Sequence, residues 1–292
     1  MVKEFNMSSN ATSNSSSEHR GGESVTSKLE RREVFAASGA GIARVTTSSG
    51  DVTIGASESN VIEVTLSVKD ASYQNMLDEA VIEYDARKNS LVVRTRTHEN
   101  FRAMRGFKAA IRGSAWFEFG GSDPDVHVAL PEGSTVEVTT ASGDTEIIGV
   151  LARASVTSAS GSVSVADEVG VLEMKTASGD VSTSNVRESL TCHSASGNVR
   201  CDGAGTTTKI RTASGSIRLS VDVPSDISVH TVSGNVAVTV ARGLEVDVDA
   251  SSISGRLSST MPLDGTTSDS PKDAVSISAR TVSGDVLVSS AS

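Results

Sequence analysis

The chain has 292 residues, a formal net charge of −10 at pH 7, and few aromatic side chains: six Phe, two Tyr and one Trp. The acidic balance disfavours nucleic acid and anionic membranes as partners, except through a local basic segment. No apolar run is long enough to cross a membrane as a helix, and two cysteines are too few for a disulfide framework.

The N-terminal segment up to Glu33 is rich in Ser, Asn and Thr and holds too few apolar residues to bury. This composition predicts a disordered tail over residues 1–33. The segment also lacks the apolar stretch of a secretory signal, so the sequence predicts a cytoplasmic protein. Such a protein would reach the cell surface only by an export route that the sequence does not reveal.

Residues 34–292 alternate apolar and polar positions, which predicts strands throughout. Between residues 55 and 133 the pattern is loose, and we expect long, irregular rungs there. A basic and aromatic loop, residues 98–122, interrupts them. Mixed cations and rings are typical of nucleic-acid or membrane-surface contacts, but a flap that caps the end of the rod is the interpretation we favour. The candidate contact residues of this loop are Phe101, Arg102, Arg105, Phe107, Lys108, Arg112 and Trp116.

From Thr140 onwards a short unit recurs, as in Thr176-Ala-Ser-Gly-Asp180, and its glycines are evenly spaced from Gly143 to Gly215. Residues five and seven before each glycine, and two and four after it, are mostly apolar. Each unit is therefore a strand, a corner and a second strand, and identical units must stack to bury their apolar faces. The repeat glycines are Gly50, Gly143, Gly161, Gly179, Gly197, Gly215, Gly234, Gly255 and Gly284.

This repeat predicts an all-β fold, a single-stranded right-handed parallel β-helix with coils of about 18 residues. A left-handed hexapeptide solenoid has coils of similar length, but it needs an aliphatic residue at every sixth position. That period fails here, because Leu172 leads to Ser178 and Ser184. Residues 260–273 are polar and contain Pro262 and Pro271, which predicts a surface loop.

The run from Val128 to Asp144, followed by repeated Ala-Ser-Gly units, resembles the bacterial β-strand-repeat "putative adhesin" family of unknown function. That family is akin to the GIN-domain heads of auto-transporter adhesins. The resemblance implies a right-handed β-helix and supplies no catalytic residues.

A basic stripe runs along the repeat, since cations recur four residues before, or three residues after, successive glycines. Cations stacked at the strand spacing repel one another, so the stripe is a candidate binding strip for an anionic polymer or an acidic protein surface. The alternative is a solvated face whose charges pair with acids such as Glu173 and Glu188. The stripe consists of Lys175, His193, Arg200, Arg211, Arg218 and His230.

Directly after the glycines stand Asp or Asn residues, including Asp144 and Asp180. They could form a calcium site or a sugar-cleaving acid pair, but tight corners also select these residues, and we favour that interpretation. Cys192 and Cys201 fall on core-facing positions, which predicts buried, unreactive thiols rather than a redox pair.

No catalytic, cofactor or metal motif is readable in the sequence. We therefore expect a non-catalytic β-helix scaffold or interaction protein whose partner is an unknown protein or an anionic polymer. The final rung, Ile277 to Val288, ends close to the last residue, which predicts open strand edges and end-to-end self-assembly. The alternatives are a surface adhesin-type binding module and a β-helix enzyme acting on acidic polysaccharide.

Overall fold

The computed structural model of the chain describes residues 29–95, 123–261 and 274–291. The expected loop at 98–122, most of the expected tail and most of the expected loop at 260–273 lie outside these ranges. The described residues are almost entirely β-structure, with one short helix, α1 (Gln74–Glu79), preceded by a 3-10 turn, Ala71–Tyr73. The strands are β1 (Leu29–Ala36), β2 (Ile42–Thr47), β3 (Val52–Ser57), β4 (Val61–Val68), β5 (Val81–Asp85), β6 (Ser90–Arg94), β7 (Asp125–Pro131), β8 (Thr135–Ser142), β9 (Thr145–Ile148), β10 (Leu151–Ser160), β11 (Val163–Ser178), β12 (Val181–Ser196), β13 (Val199–Cys201), β14 (Thr207–Ser214), β15 (Ile217–Val221), β16 (Asp226–Ser233), β17 (Val236–Val240), β18 (Glu245–Ser254), β19 (Leu257–Ser259), β20 (Ala274–Ser283) and β21 (Val286–Ser290).

The strands form two walls that meet at the glycine corners. The residues before each glycine lie in the first wall and those after it in the second wall, and together they make a rung. The long strands β11 and β12 each run from the second wall of one rung into the first wall of the next. Neighbouring rungs pair in parallel, and each central corner lies directly over the equivalent corner of the next repeat. Val163 pairs with Val181, Val181 with Val199, and Val199 with Ile217.

The core lies between the two walls and is built from thin layers of small aliphatic side chains. In the rung that contains Gly179, for example, the core-facing side chains Leu172, Met174 and Val181 are at most 1% exposed. Side chains alternate across each strand, so the intervening residues face solvent. Burial of these repeated aliphatic columns is what stabilises a stack whose single rungs could not fold alone.

The glycine corners bring the backbones of successive rungs into direct contact. Gly179 has φ +130°, and a Cβ atom there would lie 2.1 Å from the carbonyl oxygen of Gly161. The hydroxyl of Thr176 closes the same corner by donating to the carbonyl of Ser178 at 3.1 Å. Both the backbone conformation and the missing space therefore require glycine.

The order of rungs at the N-terminal end of the stack is not the order of the chain. The β2–β3 rung pairs directly with the β8–β9 rung, although four strands, β4 to β7, lie between them in sequence. Only part of residues 55–133 forms a rung of the expected kind, in which β6 pairs in parallel with β2 and β7 with β3; the remainder is antiparallel. There, β4 lies antiparallel between β1 and β7, and β5 and β6 form an antiparallel hairpin.

The expected boundary of the N-terminal tail at residue 33 is also wrong, because β1 begins at Leu29. Residues 29–33 are ordered by their register with β4, in which Leu29 lies opposite Val68 and Glu33 opposite Val64. Half-buried and exposed side chains alternate along this strand, so one of its faces lies towards the protein and the other towards solvent.

At the other end, the last rung in sequence is not the last rung in the stack. Strands β20 and β21 lie between the β16–β17 rung and the β18–β19 rung. The expectation that Ile277 to Val288 forms the exposed end is therefore wrong. The corner glycines follow the same order, since Gly284 contacts Gly234 and Gly255 contacts Gly284.

We expect Gly179→Ala to destabilise the protein strongly, because the added methyl group meets backbone and the residue needs a positive φ. The expected loss is about 3 kcal/mol or more in the free energy of unfolding, measured by chemical denaturation. Gly55→Ala is the matched control, because its Cβ has no atom within 4 Å. Equal midpoints for the two variants would contradict the corner contact.

Candidate interaction surface

Five basic side chains, two of them histidines, stand in one straight column on the outer face of the first wall, one from each of five consecutive rungs. Lys175 pairs with His193, His193 with Arg211, and Arg211 with His230. Because β20 is inserted beside β16, the column continues to Arg280. We call Lys175, His193, Arg211, His230 and Arg280 the basic column. Its members are about 4.8 Å apart along the stack.

The two remaining residues of the predicted stripe do not join this column. Arg200 and Arg218 lie beside each other on the second wall, in β13 and β15. Arg200 also forms an ion pair with Asp202, with Nε 3.0 Å from Oδ1. The single stripe predicted from the sequence is therefore split between two faces.

Acidic neighbours form ion pairs with the two ends of the basic column. Lys175 Nζ lies 2.6 Å from Glu173 Oε1, and this hydrogen bond lowers the pKa of Glu173. At the other end, Arg280 lies 3.6 Å from Asp249. Among the residues that the structure describes, His193, Arg211 and His230 have no ion-pair partner.

An exposed aliphatic patch lies beside the middle of the basic column. The outward position two residues before each glycine is alanine in five successive rungs, from Ala141 to Ala213. In the next three rungs of the stack it is Val232, Val282 and Ile253, with exposures of 56%, 45% and 83%. These three residues, the aliphatic patch, border a shallow groove with Arg211, His230 and Arg280. The sequence order hides this patch, because Ile253 precedes Val282 in the chain but follows it in the stack.

The candidate contact residues of the basic and aromatic loop lie outside the described residues. They are Phe101, Arg102, Arg105, Phe107, Lys108, Arg112 and Trp116. Both interpretations of that loop stay predictions.

The acidic residues after the glycines hold the corners together. Asp144 accepts a hydrogen bond from the backbone N–H of Ser162 at 2.7 Å, and Asp180 accepts one from Asn198 at 2.7 Å. Asn198 and Asn235 accept equivalent bonds through their amide oxygens. The structure therefore confirms the corner interpretation of this column.

Cys192 and Cys201 are both buried in the core. Burial raises the pKa of each thiol to about 12. Since the thiolate is the reactive form, both side chains behave here as small apolar groups.

None of the groups of His, Cys, Asp and Glu in residues 29–95, 123–261 and 274–291 could hold a metal ion. In the same residues, α1 is far too short to span a bilayer, and no other helix could do so.

Residues 42–290 match the family model described as Toastrack DUF4097. The fold is also similar to a solved "putative adhesin" from Bacteroides fragilis (10% identity, 91% of this chain and 99% of that chain, TM-score 0.48). Another "putative adhesin", from Parabacteroides distasonis, is 12% identical over 91% of this chain and 98% of its own, with TM-score 0.41. A "putative cell adhesion protein" from Clostridium sporogenes is 10% identical over 90% and 100%, with TM-score 0.35. No curated protein matches the chain.

We expect Asp144→Ala to lower the free energy of unfolding by about 1 kcal/mol, because it leaves the Ser162 N–H without its acceptor. Asp144→Asn should be nearly neutral, since Asn198 and Asn235 fill equivalent corners. Denaturation midpoints of the two variants test this. An equal loss in both would show that the negative charge, rather than the hydrogen bond, matters at this position.

We expect neither cysteine to react appreciably with a thiol reagent such as DTNB in the native protein at pH 8, because few of the thiols are ionised and neither is accessible. Addition of denaturant should release both thiols, which provides the control. Rapid labelling of either residue under native conditions would contradict the buried placement.

Proposed function

The chain belongs to the Toastrack DUF4097 family, and we propose that it is a non-catalytic β-helix scaffold whose basic column binds an acidic protein segment. The family match confirms the predicted resemblance to an adhesin-like β-repeat family. A relationship to GIN-domain heads stays a prediction.

The scaffold we propose is a single-stranded right-handed β-helix with one repeat of the sequence in each coil. The central rungs support this coil length, because strands from consecutive repeats pair in parallel with Val163 beside Val181 and Val181 beside Val199. We propose a right-handed coil because a connection between two parallel strands of the same sheet is almost always right-handed.

The observation that carries the proposal is the run of His193, Arg211 and His230 in three adjacent rungs, none of which forms an ion pair with a described residue. A partner that supplies carboxylates would form an ion pair with the Arg211 guanidinium and accept hydrogen bonds from the two imidazoles beside it. Lys209, also exposed, stands two residues from Arg211 on the same face of β14 and adds to the positive field.

The aliphatic patch decides between the two partner classes predicted from the sequence. A polyanion without apolar groups would use the cations and leave Val232, Val282 and Ile253 in water. A protein segment that combines carboxylates with aliphatic side chains would contact both features. We therefore favour an acidic, amphipathic protein segment over an anionic polysaccharide.

The two alternative functions relate differently to this surface. An adhesin-type module at the cell surface would use the same cations and aliphatic residues on an external partner, and cell fractionation distinguishes it. An enzyme acting on acidic polysaccharide was expected to use Asp144 and Asp180, and both carboxylates are engaged by backbone N–H groups.

We expect Arg211→Glu to weaken binding of a labelled peptide of alternating Glu and Leu by about tenfold, equivalent to about 1.4 kcal/mol, measured by fluorescence anisotropy. Arg87→Glu is the matched control. It changes the net charge equally, but it lies in the turn between β5 and β6. Poly-L-glutamate should bind more weakly than the peptide, and added salt should weaken both.

Equal losses of peptide affinity in Arg211→Glu and Arg87→Glu would show that only net charge matters. That result would overturn the assignment of the basic column as the binding surface. A peptide that binds no better than poly-L-glutamate would remove the aliphatic patch from the proposal.

A further inference from the structure

The two ends of the stack differ, and the N-terminal end is closed. Its outermost strands, β1 and β5, are joined by stacking of Phe35 on Tyr84, with ring centroids 5.0 Å apart. The Tyr84 hydroxyl donates to the carbonyl of Ala36 at 3.0 Å. Arg31 donates to the carbonyls of Leu77 and Ala80 at 2.8 Å, which ties α1 over the same end.

The opposite end exposes part of the core. Val248 in β18 and Leu257 in β19 occupy core-facing columns, beside Ile277 and Val286 of the preceding rung. Val248 and Leu257 are 40% and 48% exposed. Their neighbours in the preceding rung are each 1% exposed. Within the described ranges, no strand pairs with the outer edge of β18 or β19.

The charge on β18 is distributed so that the strand complements a reversed copy of itself. Its first half carries Glu245, Asp247 and Asp249 on the outer face, and its second half, Ser251 to Ser254, is uncharged. In the end rung, Ser251 occupies the position that aligns with the basic column, next to Arg280.

We propose that two copies of the chain join end to end at the open end formed by β18 and β19, related by a two-fold axis near Ala250. The axis reverses strand direction, so the two β18 strands pair antiparallel. Asp249 of each copy then faces Ser251 of the other, and Asp247 faces Ile253. No carboxylate opposes a carboxylate, and the core-facing columns of the two stacks meet.

The same register brings the acidic half of one β18 over the basic column of the other copy. Asp249 of one copy lies two strand spacings from Arg280 of the other, about 10 Å between their Cα atoms, and the two side chains can shorten this distance across the small Ser251 that lies between them. This match is the reason that a second copy, rather than an unrelated chain, fits the open end.

The closed N-terminal end limits the assembly to two copies. Its outer strand β1 carries Glu30, Arg31, Arg32 and Glu33 along its edge, and charged edges resist strand addition. The contact is isologous and therefore closes on itself instead of growing into a filament. The dimer does not depend on the proposed acidic partner.

We test the dimer by sedimentation equilibrium of the full chain and of two leucine variants. Leu257→Arg places a charge on the core-facing column at the open end and should convert the dimer to a monomer. Leu287→Arg is the control, since Leu287 is 38% exposed on β21 but faces outward from an interior rung. It should leave the dimer intact. Thermal unfolding confirms that each variant is folded.

A wild-type chain that stays monomeric at high concentration overturns the proposal, and so does growth beyond two copies. Equal weakening of the dimer by Leu257→Arg and Leu287→Arg would place the interface elsewhere, and this result would also overturn the proposal. Loss of dimer in Leu257→Arg with unchanged peptide binding would separate this interface from the basic column.

Ala250→Cys supplies an independent readout, because the two-fold axis brings the two introduced thiols together. We expect a disulfide-linked dimer from this variant and none from Ala237→Cys on β17. Linkage in both variants or in neither contradicts the proposed axis.

Discussion

The contact between glycine backbones at successive corners is the constraint on which the rest of the structure depends. At Gly161, Gly179, Gly197 and Gly215 the backbone lies so close to the carbonyl of the preceding corner that no side chain fits. This contact fixes the height and rotation of each rung relative to the next. Every column, whether core aliphatic, corner acid or surface cation, keeps its alignment because the corners cannot slip.

Because the corners are aligned, the order of the rungs in the stack, rather than their order in the chain, decides which residues are neighbours on the surface. Arg280 follows His230 in the basic column, and Val282 separates Val232 from Ile253, because β20 and β21 are inserted one rung before the end. The inserted rung carries Asp285, whose carboxylate accepts from the backbone N–H of Arg256 in the end rung. The insertion therefore builds the basic column, the aliphatic patch and the open end at the same time.

The sequence was sufficient to predict the central rungs, since the even spacing of the repeat, the alternation and the glycine corner all specify one register. It was insufficient at both ends. Gly234, Gly255 and Gly284 carry equivalent corner motifs, so the local pattern does not say which rung lies next to which; the wider interval before Gly284 was the only signal. The antiparallel strands β4 and β5 alternate as parallel strands do. Arg200 and Arg218 were predicted in the same stripe as Arg211 because position relative to glycine does not reveal how far apart the two walls lie.

The order of the last three rungs is tested most directly by paired cysteines at the corners, with the native thiols unreactive in the core. Ser233 pairs with Ser283, and Ser283 with Ser254, so adjacent rungs place the Cα atoms within about 5 Å, inside the range of a disulfide. The account predicts rapid oxidation of the Ser233→Cys, Ser283→Cys double variant and none within the Ser233→Cys, Ser254→Cys chain. Disulfide formation between positions 233 and 254, with positions 233 and 283 unlinked, would mean that the rungs stack in chain order. That result would contradict the inserted position of β20 and β21.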